Sequence, residues 1–412
     1  MKILLVSELI PFDLIGGLAK HCITLGNHLL KIGHEVHLMG NADFPYDSNV
    51  DFKGRFITGF SLNWKLAQKI EKYTGIFPYP LYLHFSKQIA EAINKVAMHY
   101  NVIHYHGHYP MVANFIADSI NFVQTRHDYG TFCPNKHFFR FSDKVVCTAF
   151  TSQDCTFCFK SKIGFLSRNM NKNWFSKWRE DTSNSISRRK TIFVSNKAMN
   201  IALEVLGINK TSTIFVVHNF TDTKAILSKL QKKGAGKNIP SGRNNKVMIA
   251  STLVPPKGVY TFLKAYKMKG YNFSITVAGR GSELPLIRAE FKDYPVSCLG
   301  WLSHEDTLKL MSLHQVFAAT SLLEEPCPTT ILEAMFLNKS VFALKRGGIP
   351  ELKSYALYES QVNLYDSMEG LVDGIADYLD VQRAPDNINL TDIDFGACVS
   401  KKALEIISVY NS

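Results

Sequence analysis

The sequence lacks the long apolar runs that cross membranes. No stretch of its 412 residues approaches the roughly 20 apolar residues that a spanning helix requires. The first eight residues make a poor signal peptide, because Glu8 interrupts a very short apolar run. They fit a buried first strand better. We therefore expect a cytoplasmic protein, and any membrane contact would be peripheral, at the inner membrane face.

Cysteine is sparse, with eight residues in the whole chain. Without a secretion signal, this number argues for reduced thiols or a metal rather than disulfides. Four of the eight fall within 26 residues, at Cys133, Cys147, Cys155 and Cys158. Cys155-x-x-Cys158 is the usual half of a zinc site, and two further thiolates would complete a tetrahedron. A structural zinc is one interpretation; unconnected thiols, or disulfides in an oxidising compartment, are the others.

Acidic residues are in the minority, and the net charge is +12. Residues 136–197 hold much of the excess, with 13 basic residues against four acidic ones. The same stretch contains Phe165, Trp174, Phe175 and Trp178. Basic groups with interleaved aromatics can bind an anionic membrane or nucleic acid. The alternative is a solvated helical face whose aromatics pack in the core; nucleic acid is the weakest interpretation, and we expect no such partner.

Short apolar runs alternate with helical patterns, which is the rhythm of a parallel α/β sheet. The predicted strands of the first half are 2–7, 34–39, 102–106, 122–127, 191–195 and 212–218. Those of the second half are 246–251, 273–278, 296–299, 315–320 and 340–344. Two doubly wound, Rossmann-like domains are the simplest arrangement, and such folds bind ligands at the carboxyl ends of their strands.

The domain boundaries follow from composition. The first domain is expected at 1–220, with the basic, cysteine-containing insertion at about 130–190. The polar, glycine-rich stretch 221–245 is the predicted linker. The second domain is expected at 246–397, and a last helix at 398–412 is expected to pack back on the first domain.

One helix start in the second half has the features of an anion site. Pro328 suits a first helical position, so the helix is expected to begin near Thr329. The free N–H groups of Thr329 and Thr330 would carry partial positive charge. Glu325 would lie in the preceding loop, and Glu333 one turn inside the helix, both able to accept hydrogen bonds from sugar hydroxyls. The alternative is an ordinary capped helix with nearby acids.

Two other loops in the second half have features of phosphate sites. Lys257 follows a predicted strand and precedes a helical pattern, where its ammonium could neutralise phosphate oxygens. A solvated loop lysine is the alternative. Gly279 follows another strand in a glycine turn, which is a common feature by itself. In the first half, His104, His106 and His108 alternate along a strand end, either as a metal face or, as we prefer, as a cleft wall of satisfied imidazoles.

Together these motifs resemble glycosyltransferase family 4, the group 1 retaining enzymes with the GT-B fold of two Rossmann-like domains that face each other across a cleft. The resemblance covers nearly the whole chain. The order and spacing of its motifs are more specific than any one of them. It rests on Gly16-Gly17, His127-Asp128, Lys257-Gly258, Ala278-Gly279, Glu325 and Glu333 with the Glu-Ala-Met ending, and Gly347 to Glu351.

The resemblance implies a role for each of these positions. The donor sugar's hydroxyls would be held by Glu325, the nucleotide ribose by Glu333 and the diphosphate by Lys257. Backbone around Leu299-Gly300 would face the base. In the first domain, His127 would lie near the transferred sugar, and Gly16-Gly17 would approach the phosphate and the acceptor.

The resemblance also implies a reaction. The donor would be a UDP- or GDP-sugar carrying a hexose, and the acceptor a hydroxyl of a glycan or lipid-linked molecule in surface polysaccharide or lipopolysaccharide synthesis. Transfer would retain the anomeric configuration and need no metal cofactor. The resemblance therefore implies a hexosyltransferase.

One position departs from the family pattern. The family usually has an arginine where this chain has Thr252, five residues before Lys257. Losing that charge weakens the expected diphosphate clamp, although Arg280 or Lys345 could substitute. Thr252 therefore leaves open a nucleotide-sugar-binding protein that has lost transfer activity. The same fold also serves phosphorylases and epimerases, which are the other alternative.

Overall fold

The computed structural model describes most of the chain. The described residues are 1–10, 17–43, 50–63, 69, 77–140, 145–148, 151–158, 165–231, 246–381 and 388–412. These residues form two compact units. The first comprises Met1–Ser142, Cys147–Asn219 and Val399–Ser412, and the second comprises Asp143–Val146 and Phe220–Cys398.

Unit 1 is built on a seven-stranded parallel sheet. Its strands are β1 (Lys2–Val6), β2 (Glu35–Asn41), β3 (Arg55–Phe60), β4 (Val102–His106), β5 (Phe122–Arg126), β6 (Lys190–Phe193) and β7 (Ile214–Val216). They lie in the order β3-β2-β1-β4-β5-β6-β7. The chain therefore crosses from the β2 side to the β4 side of β1, and this reversal of strand order is where such sheets open a ligand crevice.

Helices flank this sheet. They are α1 (Gly17–Lys31), α2 (Tyr79–Val96), α3 (Ser152–Cys158), α4 (Phe165–Arg188) and α5 (Asn196–Leu206), and the chain's last helix (Val399–Asn411) also belongs to unit 1. Strands β1 and β4 are buried along nearly their whole length, as expected of central strands covered on both faces. The side chains of Leu4, Ile89 and Ile103 illustrate the resulting core between sheet and helix.

Unit 2 repeats the architecture with a six-stranded parallel sheet. Its strands are β8 (Val247–Ala250), β9 (Ile275–Ala278), β10 (Val296–Gly300), β11 (Val316–Ala319), β12 (Ser340–Leu344) and β13 (Val362–Tyr365), in the order β10-β9-β8-β11-β12-β13. Its helices are α6 (Thr223–Gln231), α7 (Val259–Met268), α8 (Leu284–Glu290), α9 (His304–Ser312), α10 (Thr329–Phe336) and α11 (Met368–Asp380). The last helix of the chain, Val399–Asn411, is α12. In unit 2 the strand order reverses between β8 and β11.

The predicted fold class, two Rossmann-like α/β sheets, is confirmed. Strands β3 and β13 are additional to the prediction. The first part of the predicted linker, 221–245, is helical: Thr223–Gln231 forms α6, which packs on α9. The remainder of that linker, 232–245, lies outside the described residues.

The aromatic residues of the basic stretch pack mainly inward. Phe175 and Trp178 are 0% and 1% exposed in a cluster with Phe77, and Trp174 packs against it. The side chain of Phe165 lies outside the described residues. The solvated-face interpretation of α4 therefore fits Phe175 and Trp178. In the part of the chain that the structure describes, no helix has both the length and the apolar character to cross a membrane.

Candidate active site

Four of the predicted donor residues of unit 2 meet where its strand order reverses. Ser251 and Thr252 follow β8, and Thr320 and Ser321 follow the neighbouring β11. Because the strands are parallel, these loops leave the same edge of the sheet. They line a cavity of about 180 Å³. Its lining also includes Lys257, Glu325, Pro328, Thr330 and Ile349.

A lysine and a glutamate form the charged part of this cavity. Lys257 Nζ donates to Glu325 Oε1 at 2.5 Å, and the Ser321 hydroxyl donates to the same oxygen at 2.7 Å. The two charged side chains are 28% and 16% exposed. A partly buried pair of this kind is held in one geometry yet reachable from solvent. It presents an ammonium to phosphate oxygens and a carboxylate to hydroxyls at one place.

Glycines allow the backbone to approach closely around this pair. Gly258 has φ +69°, and a Cβ there would lie 2.2 Å from the Thr320 carbonyl oxygen. Gly347 has φ +56°, and a Cβ there would lie 2.1 Å from the Glu325 carbonyl oxygen. The Gly348 N–H donates to that same Glu325 oxygen at 2.8 Å. The Gly347-Gly348 loop thus holds the loop of Glu325 in position, which only a residue without a Cβ permits.

Helix α10 begins at Thr329 as predicted, with Pro328 as its N-cap rather than its first helical residue. The Pro328 side chain cannot cap, so no side chain of the N-cap residue satisfies the first amides of the helix. Glu333, one turn inside, is 3% exposed. Its carboxylate accepts from His304 Nε2 at 2.8 Å, and Lys229 Nζ lies 3.0 Å from His304 Nδ1. Sequence reasoning missed His304, whose partner lies 29 positions away.

The other predicted donor residues divide into two groups. Thr252 and Thr330 line the cavity with Lys257 and Glu325, whereas Thr329, Gly279 and Leu299 do not. A glycine is required at position 279 for a steric reason, because a Cβ there would lie 1.8 Å from the Ser251 carbonyl oxygen. It lets the β9 turn pack against the loop that carries Thr252.

Neither suggested substitute for the missing arginine lines the cavity. Arg280 is exposed, and Lys345 Nζ pairs with Asp366 at 3.0 Å. The cavity lining therefore contains Lys257 as its one cation among the described residues.

Unit 1 has its own polar cluster at its strand reversal. Glu8 follows β1, and its Oε1 lies 2.9 Å from His108 Nδ1, while His108 Nε2 lies 3.2 Å from Asp128 Oδ2. Burial and Lys136 lower the pKa of His108, but the two carboxylates outweigh them and raise it to about 9. The pKa of Glu8 is lowered: burial raises it, but the His108 contacts dominate. His108 is therefore a half-buried cation between two anions.

The predicted His127 lies beside this cluster, among other imidazoles. Its Nε2 is hydrogen-bonded to His106 Nδ1 at 3.0 Å, and its side chain also bonds Asn219. His21 of α1 meets the His127 ring edge-on at 4.6 Å. Ring nitrogens of His21, His106 and His127 all lie within 4.8 Å of one another, so this trio could geometrically hold a metal.

Burial keeps these imidazoles neutral. It lowers the pKa of His127 to about 3, with Asp128 opposing, and lowers that of His104 to about 3 as well. His104 is fully buried and bonds Tyr410 and Thr125. His104 and His106 are both 0% exposed, so these two imidazoles lie in the core and do not form a cleft wall. Among the described residues, His106 Nε2 has no hydrogen-bond partner. Gly17 begins α1, and Gly16 lies outside the described residues.

The fold and these two clusters define a class, the enzymes built from two Rossmann-like domains with polar residues at their strand reversals. Family comparisons specify it further. The model of Glycosyltransferase Family 4 matches residues 15–225, and that of Glycosyl transferases group 1 matches residues 244–380. The chain belongs to glycosyltransferase family 4 and is a glycosyltransferase of the GT-B fold. A comparison with curated proteins gave no match.

Solved structures agree on the fold. Anabaena HepE in complex with UDP is 18% identical with a TM-score of 0.58, covering 100% of this chain and 98% of that one. Sucrose-phosphate synthase from Thermosynechococcus elongatus is 16% identical with a TM-score of 0.66, again covering 100% and 98%. The catalytic domain of starch synthase IV from Arabidopsis thaliana, bound to ADP and acarbose, is 15% identical with a TM-score of 0.64, covering 100% and 98%.

Proposed function

We propose that the protein transfers a hexose-type sugar from a UDP- or GDP-sugar to a hydroxyl of a glycan or lipid-linked acceptor. The observation that carries this is the pairing of Lys257 with Glu325 beside the start of α10. On donor binding, Lys257 would exchange this carboxylate for diphosphate oxygens, and Glu325 would accept from the sugar's hydroxyls. Structures similar in fold were crystallised with UDP or with UDP-glucose. In this proposal unit 2 binds the donor and unit 1 the acceptor.

The proposed reaction breaks the bond between the anomeric carbon and the donor diphosphate, and an acceptor hydroxyl takes the sugar with retained configuration. The departing phosphate accepts the proton of that hydroxyl, so no side-chain nucleophile is needed. The negative charge that develops on the diphosphate would be stabilised by Lys257 and by the amides of Thr329 and Thr330. In this proposal these groups stabilise the leaving diphosphate without a metal ion. His127 would contact the transferred sugar.

Glu333, expected from the resemblance to bind the ribose, is buried. Its carboxylate is already bonded to His304. We propose that the ribose is recognised by the Glu333–His304 pair together, with one carboxylate oxygen accepting from a ribose hydroxyl. The backbone near Leu299, just before Gly300 at φ +76°, would lie against the base.

The proposed lipid-linked acceptor is supported by the basic residues on the exposed face of α4. Arg168, Lys172 and Lys177 are exposed along it. We propose that this face contacts anionic lipid at the inner membrane surface, where lipid-linked precursors of surface polysaccharide or lipopolysaccharide are assembled. Sedimentation with anionic and with neutral vesicles tests it, because equal partition into both would contradict an electrostatic contact. A triple Ala variant of these three residues should lose the preference for anionic vesicles.

Thermal unfolding against UDP-, GDP- and ADP-sugars tests the donor assignment. A donor at 100 times its dissociation constant stabilises the folded state by about 2.7 kcal/mol, which raises the midpoint visibly. Glu325→Ala should reduce the shift. Glu290→Ala is the matched control, since Glu290 bonds Tyr260 and is not part of the cavity lining.

The outcomes separate the alternatives. Binding with sugar transfer supports the proposal, and NMR of the product gives the anomeric configuration. Binding with no turnover on any acceptor would identify a donor-binding protein that Thr252 has left inactive. Phosphate-dependent release of a sugar phosphate would indicate a phosphorylase, and an altered free sugar an epimerase. No shift with any donor would contradict the proposed site.

A further inference from the structure

Four thiols of unit 1 surround one small cavity. Cys133, Cys147, Cys155 and Cys158 all line a space of about 10 Å³, the size of a single water or ion. Cys155 and Cys158 lie three positions apart on α3, so their side chains share one face of that helix. Three of the four are buried, and among the described residues no two cysteines form a disulfide.

Several donors surround these sulfurs, and the Cys133 thiol in turn donates to Asn135 Oδ1 at 2.8 Å, a bond that metal binding would replace. Backbone N–H groups of Asn135 and Phe138 both donate to the Cys133 sulfur. The Arg179 guanidinium donates to Cys155 Sγ at 3.1 Å. Hydrogen-bond donors that converge on sulfur are the usual surroundings of a metal-bound thiolate, since they stabilise its negative charge.

Burial disfavours the thiolate form of two of these cysteines. Burial raises the pKa of Cys133 to about 12 and that of Cys155 to about 11. Two cations oppose this effect, Arg179 at Cys155 and Arg140 at Cys158, but burial is larger and the pKa of both thiols stays raised. The same two cations would balance the net charge of −2 that four thiolates and one divalent ion carry.

We propose that these four cysteines bind one structural Zn²⁺ that organises the insertion of unit 1. Binding would release four thiol protons and form four zinc–sulfur bonds, which close the tetrahedron and leave no position for substrate. Among the described residues, the ligating atoms of His21, His106 and His127 are the only set within 4.8 Å of one another. The four sulfurs are therefore more widely spread, and side-chain rotation must draw them onto the ion.

Metal content of the full-length protein, purified without chelator, tests the site. We expect about one zinc per chain. Cys155→Ser and Cys158→Ser should each lower it at least tenfold, while Cys298→Ser, at a half-buried thiol of unit 2, should leave it unchanged. Replacing zinc by Co²⁺ should give thiolate-to-cobalt charge-transfer absorption, which a histidine site does not give.

A titration of the wild-type protein guards against variants that fail to fold. A mercurial that reacts with thiols should release the zinc to a colorimetric chelator after four thiols per chain have been consumed. The proposal is overturned by protein without zinc whose thiols are all reduced. It is equally overturned by disulfide-linked cysteines, or by zinc that depends on His21 and His106 rather than on the cysteines.

Discussion

At the scale of single residues, Lys257 is the side chain whose loss should matter most. It is the one cation in the lining of the donor cavity among the described residues, so no neighbour there can take its charge. Lys257→Ala should slow transfer by roughly a hundredfold, which corresponds to about 3 kcal/mol of lost transition-state stabilisation. Steady-state kinetics with saturating donor would measure it.

Lys345→Ala is the matched control for this prediction. Lys345 was one of the two suggested substitutes for the missing arginine, but its ammonium pairs with the exposed Asp366. We expect turnover within twofold of wild type. A large loss for Lys345→Ala, with little effect of Lys257→Ala, would mean that the diphosphate is bound by the other lysine.

At the residue scale, the structure brings together side chains that were predicted from local sequence features. Lys257, Glu325 and Thr330 were assigned from loops and a helix start, and the structure brings all three to one cavity. Ser321 and His304 were missed. Each acts through a partner, Glu325 or Glu333, and a hydroxyl or imidazole that serves as partner leaves no spacing signal of its own.

At the scale of elements, sequence patterns identified the central strands and missed two at the sheet edges. β3 and β13 each lie last in their sheet. An edge strand pairs on one side only, so its sequence tolerates polar residues such as Arg55 or Asn363 and loses the continuous apolar run of a central strand. The helix α6 was assigned to the linker because lysine-rich, glycine-rich sequence follows it directly.

Helix α12 is the element whose packing gives a sharp prediction. Its Tyr410 is 2% exposed, and its hydroxyl bonds His104 Nδ1 of β4 at 2.8 Å. Tyr410→Phe removes that bond and leaves a buried imidazole nitrogen without it, which should destabilise unit 1 by about 1–3 kcal/mol. Hydrogen exchange of the β4 amides in increasing urea would measure the change within unit 1 alone.

The control lies on the same helix. Leu404 is 63% exposed, so Leu404→Ala should change the stability by less than about 0.5 kcal/mol. Equal exchange in Tyr410→Phe and wild type would mean that His104 is satisfied by Thr125 alone. In that case α12 would be held by its apolar face, not by this bond.

At the scale of the whole molecule, unit 1 should have a stability maximum near neutral pH, because its histidines titrate in opposite directions. The pKa values of His104 and His127 are lowered to about 3 by burial, so their neutral forms favour folding. This contribution to folding stability is complete above about pH 6.5, the pKa of histidine in the unfolded chain, and it is lost as the pH falls toward 3. Acid should therefore unfold unit 1 early.

His108 acts on the alkaline side. Its pKa of about 9 reflects opposing effects, with burial and Lys136 lowering it and Asp128 and Glu8 raising it more. Because the pKa is raised in the folded state, the protonated His108 stabilises the fold by up to about 3 kcal/mol. This contribution is complete below about pH 6.5 and is lost as the pH rises to about 9. In His108→Asn the alkaline loss should disappear while the acid loss remains. Urea midpoints of unit 1 amides at pH 5, 6.5 and 9, read by hydrogen exchange, would check both limbs; a variant with an unchanged alkaline limb would mean that another group titrates there.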